Sequence, residues 1–412
     1  MRLKKIIHRP QYENLLDSCR DSPDIKVITG VRRCGKSTLL KLLVDTISSE
    51  IQAPDNIFYR RMDSFDVPLN PDAAWLEAEL ATAMKKADSN KPLYVFIDEI
   101  QEVQNWEKIA RRIHTQENVD VYITGSNAHV LSSDLSTLLG GRYIEIPVQP
   151  LSFSEYLSFV EQTDGSIPDE SELFASYLTY GGMPGQFDIA ERDEASIARF
   201  LESICDTIIL NDVAKHAQIG DLDLLSKLVR YTFSTSGNLF STRRVVNALT
   251  SSGRRTTSET VDNYLKSLQD AFILRECEQT GVAGKQVLRP LRKFYPIDTG
   301  LRNLSIGFAS KDLGSQLECV VYNELIHRGY SVTVGALPKG EIDFIAQRRS
   351  EKMYIQVTES LISPETRERE LRAFSFVNDS FPKIVLTGDR MGIGTTEDGV
   401  KIENLIDWLL DS

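Results

Sequence analysis

The sequence contains few cysteines and no long apolar run, and both shortages exclude classes of protein. Its 412 residues include five cysteines, an odd number without metal-ligand spacing: Cys19, Cys34, Cys205, Cys277 and Cys319. This usage excludes a disulfide scaffold and predicts a reducing, cytoplasmic compartment. The most apolar stretches, such as 93–97, have the length of strands, so we expect no membrane span. The basic first ten residues lack the apolar core of a signal peptide.

Positive charge is scarce in the chain as a whole but not in every part of it. There are 47 Lys and Arg against 59 Asp and Glu, and the net charge of −12 argues against a protein that coats nucleic acid. Residues 222–302, however, hold 13 Lys and Arg against 7 Asp and Glu. A locally basic surface in an acidic protein of two or three domains is therefore expected.

Residues 25–38, with the sequence IKVITGVRRCGKST, combine a buried strand, a glycine-bracketed loop and the start of a helix predicted for 37–47. Gly30 and Gly35 allow backbone N–H groups and the helix N-terminus to approach phosphates, which a side chain would obstruct. An ordinary glycine turn is the alternative. The strand before the loop and the helix after it favour a phosphate-binding loop.

The polar side chains of this loop suit a nucleoside triphosphate. Lys36 adds a point charge to the β- and γ-phosphates, Ser37 offers its hydroxyl to the bridging Mg²⁺, and Thr38 supports the first helical turn. The sequence therefore predicts an ATP and Mg²⁺ site formed by Gly30, Val31, Arg32, Arg33, Cys34, Gly35, Lys36, Ser37 and Thr38.

Two adjacent acids follow a second buried strand, predicted for residues 91–98. Asp98 is expected to hold Mg²⁺ through water, and Glu99 to polarise the water that attacks the γ-phosphate. A solvated turn is the alternative.

The next predicted strand, 119–124, is followed by Ser126 and Asn127, either of which could reach the same water; a helix N-cap is an equally good interpretation. Strands alternating with helices predict a parallel sheet with ligands at its carboxyl edge.

Several motifs together resemble one family. They are RRCGKS at 32–37, IDEIQ at 97–101, GSN at 125–127, GRY at 141–143 and PLSFSEY at 150–156. The chain resembles the prokaryotic AAA-type ATPases, a largely uncharacterised family in which a winged helix and a nuclease-like domain follow the P-loop module. The resemblance implies that Arg142 is an arginine finger that reaches a neighbouring subunit's γ-phosphate in a homo-oligomer. A surface or ion-paired arginine is the alternative.

The middle of the chain reads as helical. Helices are predicted for 154–162, 171–179 and 195–209, and the resemblance makes 151–220 a helical lid over the nucleotide.

Three further helices, 224–233, 241–250 and 258–271, precede two strands, 272–277 and 291–296, as in a winged helix. The basic residues that could contact DNA phosphates are Arg243, Arg244, Arg254, Arg255, Lys266, Arg289, Arg292 and Lys293. Winged helices also serve as protein-contact modules, and the third helix has no obvious base-reading set.

The last hundred residues resemble the PD-(D/E)xK nuclease fold. A helix at 313–328, strands at 330–334, 341–345, 353–357 and 383–387, and helices at 364–376 and 402–410 are expected. Glu318 and Asp343 match metal-binding acids of that fold, but Gln356 and Thr358 stand where its Glu-x-Lys should be. We therefore expect a nuclease-like domain that has lost cleavage.

The predicted architecture is α/β, with four parts: an AAA-type ATPase core at 1–150, a helical lid at 151–220, a winged helix at 221–303 and a nuclease-like domain at 304–412. The first hypothesis for function is an ATPase that couples nucleotide turnover to rearrangement of the later domains, on double-stranded DNA. A nucleotide-controlled switch or scaffold for a protein partner, and an ATP-gated nuclease, are the alternatives.

Overall fold

The computed structural model describes residues 6–127, 140–166, 168–215, 219–281, 291–307 and 313–411. The chain forms two compact units. The first comprises Met1–Pro150 with Asp270–Phe272, and the second comprises Leu151–Gln269 with Ile273–Ser412. In the described parts of both units, no helix is long and apolar enough to cross a membrane.

The first unit is a parallel sheet flanked by helices. Its described elements are α1 (Pro10–Ser18), β1 (Ile25–Thr29), α2 (Lys36–Ile51), β2 (Ile57–Arg61), α3 (Ala73–Lys86), β3 (Leu93–Asp98), α4 (Trp106–Ile113), β4 (Val119–Gly125) and β5 (Tyr143–Pro147). The strands lie in the order β2–β3–β4–β1–β5, and every neighbouring pair is parallel. The carboxyl ends of β1, β3 and β4 therefore meet at one edge.

The apolar runs account for the three central strands. All residues of β1 and β3 are buried, as expected for strands covered on both faces. One cluster of buried side chains, which includes Val27, Val95 and Val121, joins the sheet to α3 and α4. Helix α4 presents Trp106, Ile109 and the neighbouring apolar residues of one face to this core. The packed sheet gives the loops at its edge a rigid support.

The elements after residue 150 begin with helices. They are α5 (Phe153–Asp164), α6 (Glu170–Tyr180), α7 (Glu194–Thr207), a π-helical segment (Ile208–Lys215), α8 (Leu222–Ser234), α9 (Thr242–Ser251) and α10 (Ser258–Asp270). Ser152 and Glu155 form a capping box at the start of α5, which explains why the helix begins there. The side chains of Asp193, Asp221 and Ser241 each accept one backbone N–H at the start of α7, α8 and α9.

An eight-stranded sheet organises the rest of this unit. The elements are β6 (Leu274–Gly281), β7 (Arg292–Pro296), α11 (Thr299–Ile306), α12 (Leu313–His327), β8 (Ser331–Ala336), β9 (Glu341–Arg348), β10 (Glu351–Thr358), α13 (Pro364–Ala373), β11 (Lys383–Thr387), β12 (Gly394–Thr395), β13 (Lys401–Asn404) and α14 (Leu405–Leu410). The strand order is β12–β13–β11–β10–β9–β8–β6–β7. The antiparallel hairpin of β6 and β7 thus continues the sheet of the C-terminal strands through the parallel pairing of β6 with β8.

Two findings bear on the predicted organisation. Strands β6 and β7 lie in the same sheet as strands beyond residue 303, so the sheet continues across the predicted boundary between the winged helix and the nuclease-like domain. The four-domain division itself stays a prediction. The helix predicted for 402–410 is wrong at its start, since residues 401–404 pair with β11 as a strand and the helix begins at Leu405. Exposed and buried side chains alternate over 401–404, and this period of two is too short to identify in the sequence.

Candidate functional site

The phosphate loop begins where β1 ends, and two glycines shape it. Gly30 has φ of +142°, and a Cβ on it would lie 2.2 Å from the carbonyl oxygen of Val148. Gly35 has φ of +106° and is the N-cap of α2. Both positions need glycine, the first because backbone approaches closely and both because φ lies in the left-handed region. The loop therefore leads directly into a helix N-terminus, which is a favourable place for an anion.

Lys36 opens α2 and is only 3% exposed. Its Nζ donates hydrogen bonds to the carbonyl oxygens of Gly30 at 2.9 Å and Val31 at 3.1 Å. The ammonium thus lies across the loop, among backbone atoms that enclose it. Because an ammonium carries three donors, the two carbonyls leave it capacity for an anionic ligand.

The other loop residues divide into buried and solvent-facing side chains. Val31 and Cys34 are fully buried, whereas Arg33 and Thr38 are exposed and Arg32 is half-buried. Arg33 adopts φ of +66°, a left-handed conformation that is uncommon for a residue with a Cβ. All five described cysteines have free thiols, and the burial of Cys34 removes it from solvent.

Asp98 ends β3 beside the start of α2, and a threonine of β4 lies with it. The Ser37 hydroxyl donates to Oδ1 of Asp98 at 3.0 Å, and the Thr124 hydroxyl donates to the same oxygen at 2.6 Å. The Thr124 hydroxyl also accepts the backbone N–H of Glu99 at 2.9 Å. Strand β4 lies between β1 and β3, which is why its side chain can reach both acids.

The second carboxylate oxygen of Asp98 bears on metal binding. Asp98 is fully buried, and its Oδ2 has no hydrogen-bond partner. Burial raises the pKa of Asp98 above its ordinary value, and the nearby Glu99 adds to the rise, while the hydroxyls of Thr124 and Ser37 oppose it. A buried, orphaned carboxylate oxygen next to a serine hydroxyl fits Mg²⁺, which takes oxygen ligands.

The protein supplies few ligands at this position. In the described part of the chain, no group of three or more His, Cys, Asp and Glu side chains is arranged to hold a metal. An ion bound by Ser37 and Asp98 would therefore depend on water and phosphate oxygens for its remaining ligands. This is the usual situation for Mg²⁺ in nucleotide sites.

Glu99 follows Asp98 in a strained backbone conformation. Its φ and ψ are 58° and 52°, in the left-handed region, and this turn directs the chain into a short 3₁₀ helix. The amide nitrogen of Gln101 donates to the Glu99 carboxylate, and the same nitrogen lies 3.4 Å from the Ser126 hydroxyl. Gln101 thus connects the proposed base to the turn after β4.

The two polar residues that follow β4, Ser126 and Asn127, are both buried at the edge of the site. Ser126 is 1% exposed and Asn127 is 2% exposed. The helix that would make them an N-cap falls on residues outside the described ones, so the choice between the two interpretations stays open. Sequence reasoning missed Thr124, and the signal that could have identified it is its place at the end of the strand that follows the acidic pair.

Arg142 lies just before β5. Its carbonyl oxygen accepts the backbone N–H of Ile25 at 3.2 Å, which fixes its main chain, and its side chain is exposed. An exposed side chain on a fixed backbone suits both predicted roles, a surface residue and a residue that acts on a neighbouring subunit.

The basic residues proposed for DNA contact are found in three different environments. Arg243, Arg244, Arg255 and Lys266 are exposed on or near α9 and α10. Arg254 forms ion pairs with Asp221 and Asp223, and Arg292 with Asp262 and Glu276. Lys293 is 1% exposed, so the prediction that it contacts phosphates is wrong. Arg289 lies outside the described residues.

Two residues of the predicted nuclease remnant, Asp343 and Gln356, are joined by a hydrogen bond. The Asp343 carboxylate accepts the backbone N–H of Val357 at 2.8 Å, and the side-chain carbonyl of Gln356 accepts the backbone N–H of Asp343 at 2.6 Å. The amide nitrogen of Gln356 donates to Glu370 at 2.7 Å. A glutamate at 356 would oppose Glu370 with a like charge when ionised, whereas the amide of Gln356 donates to it.

A buried lysine accompanies these acids. Lys293 of β7 lies 2.7 Å from Glu341 and 3.3 Å from Glu318, and the hydroxyl of Tyr295 donates to Glu318 at 3.1 Å. Burial raises the pKa of Glu318 despite this lysine, and burial raises the pKa of Asp343 well above its ordinary value. Thr358 offers only a hydroxyl, which donates to the Ser360 carbonyl at 3.4 Å.

Comparison with known proteins adds the family. Residues 22–157 match the family described as AAA domain, and residues 171–312 match a domain family of unknown function. An uncharacterised protein of Haemophilus influenzae is 36% identical over 407 residues, covering 99% of each chain. The uncharacterised protein MJ1544 of Methanocaldococcus jannaschii is 28% identical over 85% of this chain and 78% of its own.

Solved structures show weaker likeness. A Walker-type ATPase of Pyrococcus abyssi aligns with 73% of this chain and 96% of its own, at a TM-score of 0.48 and 13% identity. AMPPCP-bound DnaA of Aquifex aeolicus aligns with 64% of this chain and 89% of its own, at a TM-score of 0.34 and 15% identity. Likeness at this level does not decide function.

The full-length similarity and the domain match agree with the motifs. One relative shares more than a third of its residues with this chain from end to end, and the AAA domain match covers the phosphate loop, Asp98 and Glu99. The chain therefore belongs to the same family as the Haemophilus influenzae protein, and it carries a P-loop AAA domain over residues 22–157.

Proposed function

We propose that the chain binds ATP with Mg²⁺ on the loop of residues 30–38 and hydrolyses it with Glu99 as the base. The observation that carries the proposal is the contact of Ser37, Thr124 and Asp98 beside an orphaned carboxylate oxygen. This arrangement joins the phosphate loop to the acidic strand end, so the triphosphate, the cation and the attacking water would be held by adjacent groups.

Each residue has a distinct task in this proposal. Lys36 and the N–H groups at the start of α2 bind the phosphates, and Ser37 with Asp98 holds Mg²⁺, which would neutralise the charge on the phosphate oxygens. Glu99 accepts a proton from the attacking water. Asn127 or Ser126 orients that water, and Arg142 stabilises the γ-phosphate of a neighbouring subunit.

Equilibrium binding tests the assignment of the loop. Lys36→Ala should weaken MgATP binding by at least about a hundredfold, since the variant loses the charge that faces the phosphates. Glu99→Gln should bind MgATP as the wild type does. Lys41→Ala, which removes an exposed lysine of the same helix, is the control and should leave binding unchanged. Equal affinity of the Lys36→Ala variant and the wild type would contradict the site.

We also propose that nucleotide turnover drives rearrangement of the C-terminal unit on double-stranded DNA, in a homo-oligomer. The local excess of basic residues in 222–302 supports a DNA contact, and four of the predicted contact residues are exposed there: Arg243, Arg244, Arg255 and Lys266. The exposed Arg142 supports the oligomer. Helices α8–α10 followed by the β6–β7 hairpin are the elements of a winged helix, which we propose as the DNA-contacting module.

Cleavage of DNA is not part of this proposal. The Lys293 ammonium already forms ion pairs with Glu318 and Glu341, and Gln356 and Thr358 offer neither the acid nor the lysine of a nuclease site. We propose that this part of the chain keeps the nuclease-like fold as a binding module. Loss of magnesium-dependent DNA cleavage in an Asp343→Ala variant, if the wild type cleaved DNA, would contradict it.

A further inference from the structure

An arginine of the N-terminal segment lies beneath the phosphate loop. Arg9 precedes α1 and is 3% exposed, which is unusual for a residue that cannot lose its charge. Its Nη1 donates to the carbonyl oxygen of Cys34 at 3.2 Å and to that of Gln149 at 3.0 Å. One guanidinium nitrogen thus joins the phosphate loop to the segment after β5.

Several contacts hold this guanidinium in place. The backbone N–H of Arg9 donates to the Glu13 carboxylate at 2.7 Å, and the guanidinium carbon lies 4.4 Å from the centre of the Tyr12 ring. The Tyr12 hydroxyl in turn accepts the backbone N–H of Gln149 at 3.0 Å. Arg9 is therefore fixed at its main chain, along its side chain and at its tip, which is the arrangement of a positioning group.

The contact with Cys34 has a consequence for the neighbouring peptide. In a trans peptide the C=O and the following N–H point in opposite directions. When the Cys34 carbonyl is held toward Arg9, the N–H of Gly35 is directed away from Arg9. Gly35 is the N-cap of α2, so its N–H belongs to the group that faces an anion at the helix N-terminus.

We propose that Arg9 is a positioning residue for phosphate binding: by holding the Cys34 carbonyl, it orients the Gly35 N–H toward the nucleotide's phosphates. The inference rests on the proposed nucleotide site and adds a residue outside its motif. Arg9 acts through the loop backbone, so its effect should be the same for any ligand that carries the polyphosphate, whether or not a base is attached.

The test compares ligands with and without a base. The dissociation constants of MgATP, MgADP and magnesium tripolyphosphate are measured by calorimetry for the full-length wild type and for Arg9→Met, together with the free energy of unfolding without ligand. Arg9→Met should weaken all three ligands by a similar factor, about tenfold to a hundredfold, because a charge-assisted contact is lost from the loop.

Arg20→Met is the matched control. Arg20 also belongs to the N-terminal segment, lies over a tyrosine ring (Tyr94) and forms an ion pair with Glu50, but its hydrogen bonds and ion pairs within the described residues do not reach the loop. This variant should change ligand affinity by less than about threefold, whatever it does to stability. Arg9→Lys keeps the charge without the planar fork, so it should bind with intermediate affinity.

The outcomes separate the inference from the proposed function. Unchanged tripolyphosphate binding in Arg9→Met overturns the inference, even if that variant is less stable, and so does a loss confined to ATP and ADP, which would assign Arg9 to the base. If Arg9→Met does not fold, an unchanged affinity in Arg9→Lys overturns it instead. Failure of the wild type to bind any of the three ligands would contradict the nucleotide site itself.

Discussion

At the scale of single residues, Thr124 determines the geometry of both acids. Its hydroxyl donates to Asp98 and accepts the N–H of Glu99, so one oxygen fixes the carboxylate of the first and the backbone of the second. Glu99 occupies a left-handed conformation that costs energy, and this hydrogen bond is one of the contacts that stabilise it. We infer that Thr124 positions the base.

Replacement of Thr124 by valine tests this role with little change in volume. Thr124→Val should lower kcat for ATP hydrolysis by about tenfold to a hundredfold, since the base is no longer held. It should also lower the free energy of unfolding by about 1–3 kcal/mol, because buried polar groups lose a partner. Thr124→Ser keeps the hydroxyl and should retain most of the activity. A wild-type kcat in Thr124→Val would refute the role.

The sequence predicted the loop and the acidic pair because their residues are neighbours in the chain. Thr124 and Arg9 were not predicted, since each acts across a distance in sequence that only the fold closes. Thr124 lies 26 residues from Asp98, and Arg9 lies 140 residues from Gln149. The place of Thr124 at the end of the strand after the acidic pair is a signal for a site, whereas a basic residue before a helix is too common to indicate one.

At the scale of elements, two glycines and an aspartate connect α6 to α11. Asp298 caps α11 through the N–H of Leu301 at 3.0 Å, and its other oxygen accepts the N–H of Gly182 at 2.7 Å. A Cβ on Gly181 would lie 2.2 Å from the Asp298 carboxylate. Burial raises the pKa of Asp298 to about 6, although backbone N–H groups stabilise its charged form.

Two glycines that end helices differ both in their surroundings and in their backbone conformation. Gly165 ends α5 with φ of +80° and open space around it, whereas Gly181 ends α6 with φ of +73° against Asp298. Gly165→Ala should cost about 1 kcal/mol, from the left-handed conformation alone. Gly181→Ala should cost about 1–3 kcal/mol more, because the methyl group displaces the carboxylate and because Gly181, with ψ of −171°, lies in a region that is essentially restricted to glycine.

Chemical denaturation of both variants provides the measurement. Equal losses of stability in Gly165→Ala and Gly181→Ala would show that the Asp298 contact does not restrict this position. The sequence predicted a fixed turn at 180–185, since three glycines surround a proline there. It did not predict the partner, because Asp298 lies more than a hundred residues further along the chain.

At the scale of the whole molecule, the proposal requires an oligomer whose subunits complete one another's sites. If Arg142 acts on a neighbouring subunit, Arg142→Ala and Glu99→Gln should each be inactive alone, and a mixture of the two should regain activity. The mixed interface would pair an intact Glu99 with an intact Arg142. The specific rate of the wild type should rise with protein concentration and on addition of double-stranded DNA.

The control is a mixture of the Glu99→Gln variant with a double variant that carries both Lys36→Ala and Arg142→Ala. Neither subunit of this mixture has an intact site, so it should stay inactive. No recovery in the first mixture would refute an arginine finger in trans. Activity that ignores both DNA and protein concentration would favour the alternative of a nucleotide-controlled switch for a protein partner.

The larger organisation followed from the sequence only in part. Buried runs, helix caps and glycine turns are local, and they predicted most helices and strands of both units. The pairing of β6 with β8 was not predictable, because the short pattern of β6 and β7 indicates that these two strands pair with each other but carries no signal for a third strand. The environment of Lys293 had no sequence signal either, since burial of a lysine depends on the acids that surround it.

The most direct test of the account is steady-state release of phosphate from saturating MgATP by the wild type and by Glu99→Gln, with nucleotide binding measured on the same samples. The wild type should release phosphate only in the presence of Mg²⁺. Glu99→Gln should bind MgATP equally well but turn it over at least about a hundredfold more slowly, because the base is lost. Hydrolysis by Glu99→Gln at the wild-type rate would contradict the proposed site.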